Sequence, residues 1–301
     1  MSKNYPGIEI LNVKINQISK SEVLEEIKSL IQLNKSRETN KKTEYIVTPY
    51  SEYFIASQDD EYFRKVLNNS FLSLADGIFP VWAAYFQNKC REIKSFRKLK
   101  ILWTYIYSGA FIVFRPGELN SVIEERIPGS ALIYDLSKMA AENGYKVAIL
   151  GGYDFGGGNT GVLAAKKLQE LYPRLEIVEI YPGEREQEKE GREVVEIFKK
   201  SKANILFCCY GAGKEEKWLY ENLAETRIDV GIGLGGSLDY VSGVKKLPPM
   251  FIRKIGLEWF FRPFFADGFS LKTFKARLFR AWPAMIKSSW LMLKQELTRK
   301  V

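Results

Sequence analysis

Hydrophobic positions along this chain switch repeatedly between a period of two and a period near 3.6. Ile8, Ile10 and Val13 suggest an edge strand, and Ser19-Lys20-Ser21-Glu22 opens a helix with Val23, Leu24, Ile27, Leu30 and Ile31 on one face. Tyr45-Ile46-Val47-Thr48 reads as a strand stopped by Pro49, which donates no ladder bond and restricts the residue before it. Helical segments over 51–57 and 60–67 follow. Phe71-Leu72-Ser73-Leu74-Ala75 is then an apolar run of strand length that ends abruptly in Asp76-Gly77, before a helix-like run from Phe79 to Phe86. Beyond a helix over 132–143 that stops at Gly144, the alternation becomes regular. Strands are expected over 146–150, 175–181, 204–210 and 229–233, and helices over 160–172, 187–200 and 214–224. Such alternation predicts an α/β protein with a Rossmann-like parallel sheet and helices on both faces.

Residues 99–116 break this rhythm, because positions 101–114 carry no charge. A helix of that uncharged length spans about 21 Å, short of the roughly 30 Å hydrocarbon core of a bilayer. Spanning is therefore not expected. The segment reads either as a membrane-dipping or interfacial element, or as a buried core or oligomer segment. No internal repeat or long linker appears. The chain is expected to hold one compact domain over 1–245, with an apolar insertion near 89–120, followed by a basic, aromatic, helical appendage over 246–301.

Composition narrows the chemistry. The chain has 301 residues, 46% hydrophobic and 27% charged, an ordinary globular balance. It contains no histidine, so a general base must be a carboxylate, Lys, Tyr or Cys, and the commonest ligand of catalytic zinc is missing. Cys90, Cys208 and Cys209 are odd in number and show no metal spacing. Met1 to Gly7 is polar, without a secretory signal, so a reduced, cytosolic-side protein is expected. Net charge is +9, and residues 251–301 hold eleven Lys/Arg against three acids, so nearly all the excess lies in the appendage. Arg253, Lys254, Lys272, Lys275, Arg277 and Arg280 are among the cations expected to meet a membrane surface. Basic plus aromatic is the composition of a membrane-surface segment, although nucleic acid is attracted to the same charge.

Chemistry in open α/β folds sits outside the carboxyl ends of the strands. Thr48-Pro49, Asp76-Gly77, Gly151-Gly152 and Gly235-Gly236-Ser237, with Asp239 just beyond, all fall at such ends. Gly211-Ala212-Gly213-Lys214 opens a helix in the same way. Glycine turns that lead into helices expose backbone N–H groups suited to phosphate, and several at one sheet edge fit a pyrophosphate-bearing ligand. Asp76 either caps the next helix or faces that ligand. Gly156-Gly157-Gly158-Asn159-Thr160-Gly161 formally matches a dinucleotide fingerprint, but its first glycine comes five residues after the strand end at Gly151. It reads better as a loose glycine loop near a nucleotide. No D-x-D pair is apparent, so cations such as Arg126, Arg262 or Lys272 would have to offset phosphate charge.

The ordered set Thr48-Pro49, Ala75-Asp76-Gly77, Glu125-Arg126-Ile127-Pro128-Gly129-Ser130, Leu150-Gly151-Gly152, Gly211-Ala212-Gly213-Lys214-Glu215-Glu216-Lys217-Trp218 and Gly233-Leu234-Gly235-Gly236-Ser237-Leu238-Asp239 resembles the WecG/TagA/CpsF glycosyltransferases. Lys245-Lys246-Leu247-Pro248-Pro249 and Gly256-Leu257-Glu258-Trp259-Phe260-Phe261-Arg262 resemble that family's closing signature, and the likeness covers roughly residues 8–265. The resemblance implies an inverting, metal-independent transfer of N-acetylmannosamine or a related sugar. The donor would be a UDP-sugar and the acceptor a polyprenyl-diphosphate-linked sugar, at the cytoplasmic face of the plasma membrane. It implies Asp76 as general base with Thr48 beside it, and Glu215 in the family's usual glutamine position of the active-site helix. Asp239 would lie near the nucleoside, with Arg126 and Arg262 on the diphosphate. Gly77, Gly151, Gly152, Gly211, Gly235, Gly236 and Ser237 would complete the donor site. A homo-oligomer is possible on this reading, and nucleic acid is not a partner. The rivals are a non-catalytic nucleotide-sugar or nucleic-acid binding module and an NAD-dependent enzyme. Tyr50, Gly213, Glu215 and Ala131 depart from the family's usual Asn, Pro, Gln and acid, and 89–120 is longer than its usual connection. These differences point to the donor sugar rather than to the reaction class.

Overall fold

The computed structural model describes residues 5–36, 41–183, 191–249, 252–253 and 271–299, with the side chains of 191 and 271–282 outside that description. Its centre is a six-stranded, wholly parallel sheet. The strands are β3 (Glu44–Val47), β4 (Leu72–Ser73), β5 (Lys146–Gly151), β6 (Glu176–Tyr181), β7 (Ile205–Cys209) and β8 (Val230–Gly233). They lie in the order β4-β3-β8-β7-β5-β6. Register runs straight across the middle, with Ile149 beside Phe207 and Phe207 beside Ile232.

Strand side chains alternate between two cores, as a sheet covered on both faces requires. Ile46, Val147, Ile149, Ile205 and Phe207 face one core, and Val47, Ala148, Leu150, Leu206 and Cys208 face the other. The first core is closed by α1 (Lys20–Lys35), α6 (Gly129–Asn143), α7 (Thr160–Leu171) and α10 (Ser237–Ser242). The second lies under α2 (Ser51–Asp59), α3 (Glu61–Asn68), α4 (Ile78–Arg91), α5 (Arg97–Phe114), α8 (Gly191–Ser201) and α9 (Lys214–Thr226). A last helix, α11 (Leu271–Thr298), packs against α2, α4 and α5 and adds Met285, Met292 and Leu293 to the second core.

The single edge strand expected at the start is instead a hairpin, β1 (Gly7–Ile10) with β2 (Val13–Asn16). Its turn residues, Leu11 and Asn12, both have positive φ, 48° and 65°, the conformation of a tight hairpin turn usually given to Asn-Gly. Leu11 adopts it because distant side chains hold the loop. Gln58 donates to the Leu11 carbonyl at 2.9 Å and Asn68 to the Asn12 carbonyl at 2.8 Å. The hairpin also shields the sheet edge, since the Asn16 amide oxygen accepts the N–H of Ser73 at 2.8 Å.

The apolar segment 99–116 becomes α5, antiparallel to α4 and beside α11. Trp82 of α4 stacks on Phe86 at 5.3 Å and donates its indole N–H to Ser108 of α5 at 3.1 Å. Among the described residues no helix is long and apolar enough to cross a membrane.

Candidate active site

Because all six strands are parallel, their carboxyl ends share one edge, and that edge carries the polar and glycine-rich turns. Between the ends of β3, β4 and β8 lies a cavity of about 170 Å³. Thr48, Asp76, Gly77, Arg126, Gly236 and Ser237 line it. Thr48 is buried and donates its hydroxyl to the Gly233 carbonyl at 3.0 Å, pinning the end of β3 to the end of β8.

Asp76 does not cap α4. That cap is Gly77, with φ 82° and no side-chain bond to the helix. The glycine is needed because a side chain at such φ is strained. Its turn sends the Asp76 carboxylate toward α6, where Oδ2 accepts the N–H of Gly129, the first residue of that helix, at 3.3 Å. A carboxylate at a helix N-terminus interacts favourably with the helix dipole. The backbone around it is braced as well, Asp76 N–H donating to Pro49 and Ile127 N–H to Ala75. Asp76 is half-buried and faces the cavity, the setting of a side chain held for a ligand.

A second, smaller cavity of about 100 Å³ follows the same edge toward β5. Gly152, Tyr153, Tyr210, Gly211, Gly236 and Asp239 line it. Gly151 must be glycine, since at φ 129° a Cβ there would sit 2.3 Å from the Cys209 carbonyl oxygen. Gly152 is similarly confined, 2.6 Å from the N of Gly161. Asp239 is buried and ion-paired with Lys245. The glycine run 156–158 belongs to an excursion closed by a bridge between Asp154 and Asn159, and Asn159 caps α7. The dinucleotide spacing is thus an accident of that loop, and the tight strand-end turn is Gly151-Gly152.

Glu215 differs most from expectation. Rather than facing the first cavity it is fully buried beneath the turns, accepting Gly235 N–H at 2.8 Å and Gly211 N–H at 3.2 Å. Those two N–H groups, expected to meet phosphate, are spoken for by the carboxyl. Glu216 is equally buried, accepting the Tyr53 hydroxyl at 2.6 Å and Gly213 N–H at 2.8 Å. Burial, and then the neighbouring Glu216 carboxylate, push the Glu215 carboxyl well above the usual range; burial raises Glu216 too.

Arg126 lines the first cavity and donates to the carbonyl of Arg253. Arg253 is half-buried, and its Nε has no hydrogen-bond partner among the described residues. Lys254 and Arg262 lie outside the described residues, as do the side chains of Lys272, Lys275, Arg277 and Arg280 on α11. Tyr50, Tyr240 and Met285 also line the first cavity. Tyr50 stands in a strand-end motif, and Tyr240 follows Asp239, so both had a local signal. Met285 had none: it arrives on α11.

The parallel sheet, with an acid and glycine turns along its carboxyl edge, defines a Rossmann-like α/β protein whose candidate site sits at the strand ends. The chain belongs to the glycosyl transferase WecG/TagA/CpsF family, whose model matches residues 8–101 and 91–266. It is similar to an N-acetylglucosaminyldiphosphoundecaprenol N-acetyl-beta-D-mannosaminyltransferase of Staphylococcus aureus strain MRSA252, 31% identical over 159 residues. That alignment covers 52% of this chain and 59% of the relative. The counterpart in strain NCTC 8325 is 32% identical over 158 residues, with the same coverage of 52% and 59%. The chain thus spans 59% of the length of these curated relatives.

Proposed function

We propose that this chain is an inverting glycosyltransferase. It moves N-acetylmannosamine or a related sugar from a UDP-sugar to a polyprenyl-diphosphate-linked saccharide, in the synthesis of a cell-surface polymer. The observation that carries the reading is Asp76, a carboxylate fixed by the N–H of Gly129 and turned into a cavity shared with Thr48 and Arg126.

In the proposed step an acceptor hydroxyl oxygen attacks the anomeric carbon as the bond from that carbon to the UDP oxygen breaks. The hydroxyl proton passes to Asp76 and the bonding pair leaves with UDP. General-base help of this kind is worth about 10²–10⁴-fold. Arg126, with Arg262, is assigned to the leaving diphosphate, whose charge guanidinium groups match in geometry. The second cavity, with Asp239 and the Gly151-Gly152 turn, is assigned to the nucleoside end of the donor. Bound metal has no part in this reading, and the enzyme works peripherally at the cytoplasmic membrane face. The name of these relatives supports a diphosphate-lipid acceptor carrying N-acetylglucosamine and an N-acetylmannosamine donor.

The test is transfer from UDP-N-acetylmannosamine to a synthetic polyprenyl-diphosphate N-acetylglucosamine, with the product anomer read by NMR. Inverted product, formed at an unchanged rate in EDTA, is expected. Absence of transfer from any UDP-sugar, or retained configuration, overturns the reading.

A further inference from the structure

Helix α5 is amphipathic the wrong way round for a protein surrounded by water. Its buried positions include Thr104 and Ser108, whose hydroxyls are used up internally, on the Lys100 carbonyl and between Trp82 and Tyr105. Its outward stripe is Leu99, Leu102, Trp103, Ile106, Val113 and Phe114, each 43–80% exposed. The spacing of these residues follows one helix face for the whole length of α5. Beside it, Ile286 and Trp290 of α11 are 65% and 59% exposed, and Tyr105 of α5 meets Ser289 of α11 at 3.0 Å. The two helices therefore present one continuous apolar patch, larger than the scattered hydrophobic residues of an ordinary surface.

Charge identifies the occupant. Residues 94–115 contain five Lys/Arg and no acid. Lys94, Lys98 and Lys100 are exposed at one end of the stripe and Arg115 at the other, while Lys287 and Lys294 are exposed on α11. A second copy of this chain laid on the stripe, parallel or antiparallel, would bring cation against cation, which disfavours self-association. An anionic lipid surface satisfies both features: apolar side chains enter the acyl boundary while Lys and Arg meet headgroups.

We propose that α5, together with the outer face of α11, lies in the plane of an anionic bilayer and seats the protein there. The inference deepens the reading of a lipid-linked acceptor and rests on it only for the purpose of the docking. The patch itself stands on exposure and charge. One turn of α11 joins the two sites, since Met285 lines the candidate cavity while Ile286 points to the proposed bilayer face.

The experiment measures flotation of the full chain with vesicles of phosphatidylglycerol and phosphatidylcholine, and with phosphatidylcholine alone, for wild type and for Trp103→Glu/Ile106→Glu. Both positions are exposed, and circular dichroism verifies that the variant is folded. Binding to the anionic vesicles that falls at least tenfold in the variant is expected, with transfer to a short-chain, water-soluble acceptor unchanged. A nitroxide on Ile106→Cys gives a variant with no added charge, and its label is expected to be more accessible to oxygen than to a water-soluble nickel chelate. Equal flotation of wild type and double variant overturns the proposal, as does a nickel-accessible label on vesicles, or a dimer in solution that buries the label. Flotation needs no substrate, so failure of the docking and failure of the glycosyl-transfer reading appear in different assays.

Discussion

The N–H of Gly129 meets Oδ2 of Asp76 at 3.3 Å, joining the end of β4 to the start of α6 across fifty-three residues of chain. The contact leaves the carboxylate pointing along the cavity floor rather than onto the helix that follows it in sequence. It holds Asp76 at the N-terminus of α6, facing the cavity, and not as the cap of α4.

Asp76→Asn keeps the shape and removes the proposed base. Turnover is expected to fall by about 10²–10⁴-fold, while the donor dissociation constant from calorimetry stays within a few-fold of wild type. Turnover near the wild-type rate would remove Asp76 from this role.

The strand-end turn at β5 tolerates no side chain. Gly151→Ala would set a Cβ 2.3 Å from the carbonyl oxygen of Cys209, on backbone at φ 129°. A loss of about 2–4 kcal/mol in urea unfolding, or failure to accumulate folded protein, is expected. Gly109→Ala is the control. A Cβ there meets nothing within 4 Å, the position lies inside α5, and its effect should be neutral or stabilising by up to about 1 kcal/mol.

The buried pair Glu215 and Glu216 makes stability depend on pH. Both carboxyls are raised, so the folded state holds protons that the unfolded chain releases in the usual carboxylate range. Their contribution is fully present below that range and is lost as pH rises through the folded-state values. Melting temperature is therefore expected to fall as pH rises, and Glu215→Gln should flatten that slope. The amide oxygen of Gln can serve only one of the two glycine N–H groups, so the variant also loses about 1 kcal/mol at low pH. A wild-type slope kept intact in the variant would show that Glu215 does not hold the proton.

Arg126 holds the Arg253 carbonyl and faces the cavity. Arg126→Ala is expected to lower kcat/KM by about 10–100-fold, the worth of a charge-assisted bond to a diphosphate. Arg126→Lys should recover only part of this, because an ammonium lacks the planar fork. Steady-state kinetics against donor concentration reads both.

The doubly covered parallel sheet was legible because its signals are local and repeated: apolar runs of strand length, helical periodicity between them, and glycines where strands end. Asp76, Thr48 and the Gly151-Gly152 turn were legible for the same reason, since each stands at a strand end. The β1–β2 hairpin was not, because Leu11 is a poor residue for positive φ, no glycine follows Asn12, and the turn is held by the distant Gln58 and Asn68. The direction of Glu215 was hidden too. Three residues at the start of α9 could each have faced the cavity, and only the approach of Gly211 and Gly235 turns this one inward. Residues 101–114 showed their lack of charge but not which side would be packed. The small Thr104 and Ser108 take the inner face because Trp82 and Phe86 already fill the space there.

With Met285 against the cavity and Trp290 on the outer surface, α11 is both a wall of one and a part of the other. A helix with its side chains is about 10–12 Å across. Seated as proposed, the protein carries its candidate cavity at a fixed height, about one helix diameter above the acyl boundary. On the proposed function, a lipid-linked acceptor would then be reached without leaving the bilayer, and the thickness of a single helix sets the reach.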